Sequence, residues 1–255
     1  MNPSAQNSVA IEFCGVSYAV ARGHDLVNNL DLRIFRGETL ILLGRSGSGK
    51  TTTLKLINLL LSPTSGEVRV EGRPTSEWDP IRLRRGIGYV IQDAGLFPHF
   101  TVERNIGLVP AIEQWPPTRI RQRVAELLQL VGLDASVAQR YPRELSGGQR
   151  QRVGVARALA ADPPILLMDE PFGALDTITR AELQREFSLL QRRLGKTVVF
   201  VTHDVREALR LGHRIALLEA GRLVTAAPTE DFLRSSDPLV RQYLAAFGAT
   251  PGDGT

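Results

Sequence analysis

One octapeptide constrains what this chain can fold into more than any other feature. Residues 44–51 read GRSGSGKT and fit the pattern G-x-x-x-x-G-K-[ST] of a phosphate-binding loop. The apolar run Thr39–Leu43 before the loop suits a buried strand, and the stretch Thr51–Leu61 after it has the pattern of a helix. Glycines let the backbone wrap tightly, so that successive N–H groups point at phosphate oxygens, and the helix N-terminus favours anions. The segment therefore predicts a site for nucleotide phosphates.

The polar residues of this loop have separate expected roles. Lys50, one of only three lysines in the chain, is expected to bridge the β- and γ-phosphates. The hydroxyl of Thr51 is expected to ligate Mg²⁺, and Thr52 is placed to reach the region of the α-phosphate. Arg45 falls on an unspecified position of the motif, so its side chain need not contact phosphate. The nucleotide-binding residues predicted here are Gly44, Arg45, Ser46, Gly47, Ser48, Gly49, Lys50, Thr51 and Thr52.

Two carboxylates follow a second apolar strand. The run Ile165–Met168 leads directly into Asp169 and Glu170. Asp169, at the strand tip, is placed to hold Mg²⁺ through the water shell of the ion. Glu170 is placed to polarise an attacking water. Both residues would complete a site for a magnesium nucleotide.

A third motif, LSGGQ at residues 145–149, predicts a second helix N-terminus with free N–H groups, because the helix-like stretch Arg150–Ala160 follows it. Ser146 adds a hydroxyl, and the residues of this motif predicted to bind nucleotide are Ser146, Gly147, Gly148 and Gln149. The motif lies about 95 residues after Lys50. If it faces away from its own phosphate loop, it can serve only the nucleotide of another copy, and the chemistry then requires a dimer.

Short buried strands alternate with helices along the chain, which predicts an α/β domain with a largely parallel sheet. Between about Asp93 and Gln151 prolines break the pattern, and the amphipathic stretch Thr118–Val131 predicts a helical insertion. The other predicted strands are Val9–Tyr18, Glu67–Val70, Ile87–Ile91, Thr197–Thr202 and Arg214–Leu218, and the other predicted helices are Ala181–Leu194 and Val205–Leu211.

Composition excludes several classes of protein. With 43% apolar residues in 255, the chain has enough material for a core, and a net charge of +4 does not indicate nucleic acid. A single cysteine excludes an internal disulfide and a cysteine-built metal site. The polar N-terminus lacks the pattern of a signal peptide, and no run approaches the roughly 18 apolar residues of a membrane span. A cytoplasmic protein is expected.

On these motifs the chain resembles the ATP-binding subunit of an ABC transporter over about residues 9–245. GRSGSGKT matches the Walker A loop, LSGGQ the ABC signature and ILLMDE the Walker B strand. Gln92 matches the Q-loop glutamine, Asp176 the D-loop aspartate and His203 the switch histidine. Tyr18 matches the aromatic residue that stacks on adenine. These motifs stand in the family's order and at family-like spacing.

The resemblance implies a P-loop NTPase core with a largely parallel sheet, an N-terminal antiparallel β subdomain and an α-helical subdomain inserted at about residues 93–157. The tail at residues 246–255 is expected to be disordered. The resemblance also implies a head-to-tail homodimer with ATP between the phosphate loop of one copy and LSGGQ of the other. Gln92 would ligate Mg²⁺ beside Thr51 and Asp169, and His203 would contact the γ-phosphate. Asp176 would lie at the dimer interface.

The stretch GLFPHFTV at residues 95–102 and the surrounding motifs are similar to importers of glycine betaine, choline or carnitine. The implied partners are permease subunits and, indirectly, an extracytoplasmic substrate-binding protein, with the chain peripheral at the cytoplasmic face of the membrane. Amino acids, sulfonates and nitrate stay open as cargo. ABC ATPases that act on DNA or the ribosome are disfavoured, since the chain has no sustained heptads and one motor domain. The C-terminal CBS domains that many members of this branch carry are not expected in this chain.

Overall fold

The computed structural model describes residues 8–20, 24–173 and 175–246. The chain forms two compact units. The first includes the residues up to Leu83 and those from Thr197 onward, and the second is Arg84–Lys196. No helix in the described ranges is long and apolar enough to cross a membrane.

The strands and helices of the described residues are as follows. The strands are β1 (Val9–Val20), β2 (His24–Phe35), β3 (Thr39–Leu43), β4 (Ser65–Val70), β5 (Arg73–Pro74), β6 (Ile87–Val90), β7 (Ile165–Asp169), β8 (Thr197–Thr202), β9 (Arg214–Glu219) and β10 (Arg222–Pro228). The helices are α1 (Lys50–Ile57), α2 (Pro80–Arg85), α3 (Val102–Ile106), α4 (Leu108–Ile112), α5 (Pro117–Leu130), α6 (Gly147–Leu159), α7 (Thr177–Leu194), α8 (Val205–Leu211), α9 (Thr229–Leu233) and α10 (Pro238–Ala246).

Two sheets organise the first unit. One is antiparallel, with the strand order β2-β1-β4-β5. In the other, β3 lies between β8 and β9 and is parallel to both, and β10 pairs with β9 antiparallel. Every residue of β3 and β8 is buried, which explains why their sequences are continuous apolar runs without alternation. Leu43 pairs with Thr202, so the carboxyl ends of β3 and β8 lie side by side.

The second unit combines a parallel pair, β6 and β7, with helices α3 to α7. Helix α5 buries Val124, Leu127 and Leu128, as its amphipathic pattern predicts, and packs on α6. Helix α6 lies very close to β6, because a Cβ added to Gly88 would stand 2.4 Å from the carbonyl oxygen of Ala158. The glycine therefore sets the distance between strand and helix.

These elements confirm the predicted α/β class, with its antiparallel N-terminal sheet, parallel strands and helical segment. β3, β8 and α8 have the predicted bounds. Helix α1 ends at Ile57, short of the predicted Leu61, because Leu59 takes a left-handed φ of 54° that a helix cannot continue through. Strands β2, β5 and β10 go beyond the predicted set, although buried Leu30, Leu32 and Ile34 give β2 a clear alternation.

The predicted domain at residues 9–245 and the predicted helical subdomain at about residues 93–157 stay predictions. Ala246 is the last residue of α10, and the remaining positions of the predicted tail, 247–255, lie outside the described residues.

The close approach at Gly88 gives the first testable prediction. Gly88→Ala should destabilise the protein by about 1–3 kcal/mol, because the added methyl group meets helix backbone that cannot rotate away. Chemical denaturation measures the change. Gly195→Ala is the matched control: an added Cβ there meets no described atom within 4 Å, so only the strain of its φ of 59° remains. Equal losses for both variants would contradict the packing argument.

Candidate functional site

The phosphate loop is the turn that joins β3 to α1 in the first unit. Gly49 caps α1 with a φ of 96°, and a Cβ there would lie 2.3 Å from the carbonyl oxygen of Leu26. A Cβ on Gly44 would lie 2.3 Å from the carbonyl oxygen of Leu218. Only glycine fits at both positions. Between them, Arg45, Ser46 and Gly47 are exposed at the surface.

The polar groups inside this loop suit an anion. Lys50 is 5% exposed, and its ammonium donates hydrogen bonds to the carbonyl oxygens of Gly44, at 2.8 Å, and Arg45, at 2.7 Å. The hydroxyl of Ser48 is buried and has no hydrogen-bond partner among the described residues. A buried donor without a partner calls for an explanation, and a phosphate oxygen supplies one. Thr51 and Thr52, in the first turn of α1, are half-buried.

The first unit brings two more predicted residues to this loop. His203 is exposed and directly follows β8, whose end pairs with the end of β3. The histidine therefore follows the strand adjacent to the one that leads into the loop. Tyr18 is half-exposed on β1 and pairs in register with Val27, whose side chain lies 3.5 Å from the position of a Cβ on Gly49. Tyr18, the loop and His203 form one part of the predicted site.

In the second unit the carboxylates stand at the end of β7. Asp169 is its last residue and 8% exposed, and Glu170 follows with a left-handed φ of 44°. Such a conformation is costly for glutamate and concentrates at functional positions. The hydroxyl of Tyr89, on β6, lies 3.5 Å from Oδ2 of Asp169, at the outer limit of a hydrogen bond. Burial and the Asp169 charge raise the pKa of Tyr89, which keeps its phenol protonated.

Gln92 is exposed in a turn after β6, which ends at Val90, so the predicted strand to Ile91 is one residue too long. The next three residues, Asp93, Ala94 and Gly95, all have a positive φ, of 60°, 59° and 52°.

Arg157, on α6, holds this left-handed turn in place. Its guanidinium donates to the carbonyl oxygens of Ala94 and Gly95, each at 2.7 Å. Burial lowers the pKa of Arg157, which is the cost of drawing a cation out of water to brace the turn. The apolar sequence around Arg157 gave no sign of this role.

The LSGGQ motif begins α6, as predicted, although the helix starts at Gly147 rather than Arg150. Ser146 is the N-cap: its hydroxyl accepts from the N–H of Gln149, and the Gln149 side chain accepts from the N–H of Ser146. This reciprocal cap fixes the start of the helix, where Ser146 is exposed. Gly148 packs against α7, since a Cβ there would lie 2.8 Å from the methyl group of Thr179.

Asp176 is the exposed N-cap of α7 and accepts from the N–H of Thr179 at 3.1 Å. Hydrogen bonds from Thr179 and neighbouring backbone groups hold the pKa of Asp176 below its ordinary value. Arg180 braces the segment before it, donating to the carbonyl oxygens of Phe172, Gly173 and Leu175. The second unit thus holds LSGGQ and the Asp176 turn against one another, and Gln92, Asp169 and Glu170 at the ends of paired strands.

Three comparisons place this geometry in a family. The family model described as "ABC transporter" matches residues 27–173. The chain is 53% identical over 90% of its length to the glycine betaine/carnitine/choline transport ATP-binding protein OpuCA of Bacillus subtilis, and covers 60% of that protein. It is 49% identical over 92% of its length to the glycine betaine uptake system ATP-binding protein YehX of Escherichia coli, and covers 76% of it.

A solved structure supports the same family. The ATP-binding cassette MJ0796, a dimer in a post-hydrolysis state with ADP and Pi, superposes with a TM-score of 0.76 at 36% identity, covering 86% of this chain and 98% of that one. The chain spans about 60% of the length of several curated relatives that it matches. With the motifs and the fold together, the chain belongs to the ABC transporter family.

Proposed function

We propose that this chain is the ATP-hydrolysing motor subunit of a bacterial ABC importer for glycine betaine- or choline-type osmoprotectants. The observation that carries the proposal is the preformed phosphate loop, with the Lys50 ammonium inside it and the buried Ser48 hydroxyl without a partner. Relatives named for glycine betaine, carnitine or choline transport, at 48–53% identity, support the cargo class.

Catalysis by this chain would consist of positioning and charge stabilisation. The Lys50 ammonium and the loop N–H groups hold the β- and γ-phosphates of ATP. Glu170 orients the attacking water and accepts its proton, and His203 contacts the γ-phosphate. Tyr18 stacks on the adenine ring.

The residues proposed to hold Mg²⁺ offer the hard oxygen ligands that this ion prefers: the Thr51 hydroxyl, the Gln92 amide oxygen and, through water, the Asp169 carboxylate. Mg²⁺ bound there supplies neutralisation of the phosphate charge. The phenol of Tyr89, 3.5 Å from Oδ2 of Asp169, is placed to orient that carboxylate.

A second copy of this chain would complete each site. At the N-terminus of α6, Ser146 is exposed and Gly147 and Gln149 are half-buried, so this end of the helix can be reached by the nucleotide of another copy. The dimeric state of the MJ0796 cassette, and its ADP and Pi, support this arrangement. Asp176, exposed at the start of α7, would lie at the interface.

Conformational changes of the motor would be transmitted to the permease through the turn after Gln92. A groove of about 340 Å³ in the second unit is lined by Gly95 of that turn and by the exposed side chains of Ile91 and Phe97, 37% and 41% exposed. We assign it to a cytoplasmic segment of the permease, because Gly95 of the turn is part of its lining. Arg157 joins the turn rigidly to α6, so a movement of LSGGQ reaches the groove. The chain then works at the cytoplasmic face of the membrane, and the extracytoplasmic binding protein acts through the permease.

The role of Glu170 gives one prediction. Glu170→Gln should retain ATP binding, form a stable dimer with ATP, and lose ATP turnover by about 100-fold or more, because the amide cannot accept the proton of water. Phosphate release and size-exclusion chromatography measure the two effects. Glu182→Gln, an exposed change in α7, is the control and should keep full turnover. Wild-type turnover in Glu170→Gln would remove this residue from the mechanism.

The proposal that two copies complete each nucleotide site gives another prediction. Lys50→Ala and Ser146→Arg subunits should each be inactive alone, whereas their mixture should regain turnover, because a mixed dimer contains one site with both residues intact. A mixture of Lys50→Ala with wild type calibrates the exchange of subunits. Lys55→Ala, one turn along α1, checks that the loss is specific to Lys50. A mixture no more active than its components, at proven exchange, would contradict pairing between copies.

Uptake tests the cargo. In a deletion strain lacking other betaine systems, the wild-type gene should restore uptake of labelled glycine betaine after osmotic upshift, and Glu170→Gln should not. A sulfate/thiosulfate import protein of Xylella fastidiosa is 46% identical over 88% of this chain, so motors for other solutes are similar in sequence. If glycine betaine, choline and carnitine all fail while sulfate, sulfonates or amino acids enter, the osmoprotectant assignment is wrong.

A further inference from the structure

A tyrosine outside every motif touches the back of the phosphate loop. Tyr243, on α10, accepts a hydrogen bond from the backbone N–H of Arg45 at 3.0 Å. The same hydroxyl donates to Oε2 of Glu219, the last residue of β9, at 2.9 Å. All three residues belong to the first unit. One hydroxyl therefore links the loop, a strand end and the C-terminal helix.

The ring that carries this hydroxyl is firmly seated. Tyr243 is 6% exposed, and Val240 and Leu244 are buried on the same helix. The carboxylate of Asp237 caps the helix, accepting from the N–H groups of Leu239 and Val240 at 2.8 and 3.1 Å. Helix α10 thus holds the Tyr243 hydroxyl at a fixed position beside the Arg45 amide.

Strand β9 adds a second contact to the same part of the loop, at Gly44. The space beside Gly44 is closed by the Leu218 carbonyl oxygen, 2.3 Å from where a Cβ would be. Gly44 and Arg45 are consecutive, and the two lysine-bound carbonyl oxygens are theirs. The Tyr243 hydroxyl therefore fixes the amide of a residue whose carbonyl oxygen orients Lys50.

We propose that Tyr243 is a positioning residue of the nucleotide site, whose hydroxyl holds the phosphate loop in its binding conformation before a nucleoside triphosphate arrives. The proposal rests on the assignment of this loop to ATP. A loop ordered in advance loses less conformational entropy on binding, so the seating of α10 sets the affinity of the motor for ATP. Burial and the nearby Glu219 carboxylate raise the pKa of Tyr243, so the phenol remains a donor to that carboxylate.

Tyr243→Phe keeps the ring and removes only the hydroxyl. Without an acceptor for the Arg45 amide, the Kd and KM for ATP should rise about fivefold, as expected for the net loss of one hydrogen bond. The kcat at saturating ATP should stay within about twofold, because bound phosphates then order the loop themselves. Without nucleotide, the amides of residues 44–49 should exchange with deuterium faster than in the wild type.

Three controls separate positioning from general damage. Glu219→Gln keeps an acceptor oxygen for the phenol and should retain the wild-type Kd within about twofold. Tyr141→Phe removes a hydroxyl at an exposed site and should change nothing. Val68→Ala, in the antiparallel sheet, lowers stability by a cavity and should leave the Kd unchanged.

An unchanged Kd in Tyr243→Phe, or a fall in kcat with constant KM, would overturn the proposal. So would tighter ATP binding, which would mean that the hydroxyl restrains the loop in a non-binding form. Failure of the wild type to bind ATP, with Lys50→Ala as reference, would instead remove the proposed function. Hydrogen exchange without nucleotide still decides the role of Tyr243 in that case: unaltered exchange of residues 44–49 overturns it.

Discussion

The turn from β3 into α1 is the constraint on which the rest of the structure depends. Here a buried parallel strand passes directly into a helix, and the backbone N–H groups of the turn must stay available for a ligand. Neighbouring carbonyl oxygens leave no space for a Cβ at Gly44 or Gly49, so both positions require glycine. Two carbonyl oxygens of the turn then hold the Lys50 ammonium. The strand order serves the same turn, because β8 and β9 lie on either side of β3 and their ends lie beside the loop.

Two arginines brace irregular segments of the second unit in the same way. Arg157 binds the turn after Gln92, and Arg180 binds the segment before Asp176, in each case through backbone carbonyl oxygens. A guanidinium offers five donors in a fixed plane, so one side chain can satisfy several carbonyl groups of a short irregular segment. The predicted signalling and interface segments are therefore held to helices α6 and α7.

Much of the candidate site was predictable because its determinants are local. The helix that begins at LSGGQ, the strand that ends at Asp169 and the phosphate loop each depend on residues within a few positions of one another. The braces were not predictable for the opposite reason. Arg45 and Tyr243 stand 198 positions apart, and Ala94 and Arg157 stand 63 apart, so no short pattern relates them.

The sequence by itself determined the class of fold, the phosphate loop and the carboxylate pair at a strand end, since glycine spacing and apolar runs act over a few residues. Its motifs indicated a transport family by resemblance. The tertiary structure alone decided that Tyr89 stands beside Asp169, that the residues after Gln92 adopt a left-handed turn under Arg157, and that Tyr243 supports the loop. These contacts join distant segments, and only the packing of β6 on β7 and of α10 near β9 brings their atoms within hydrogen-bond distance.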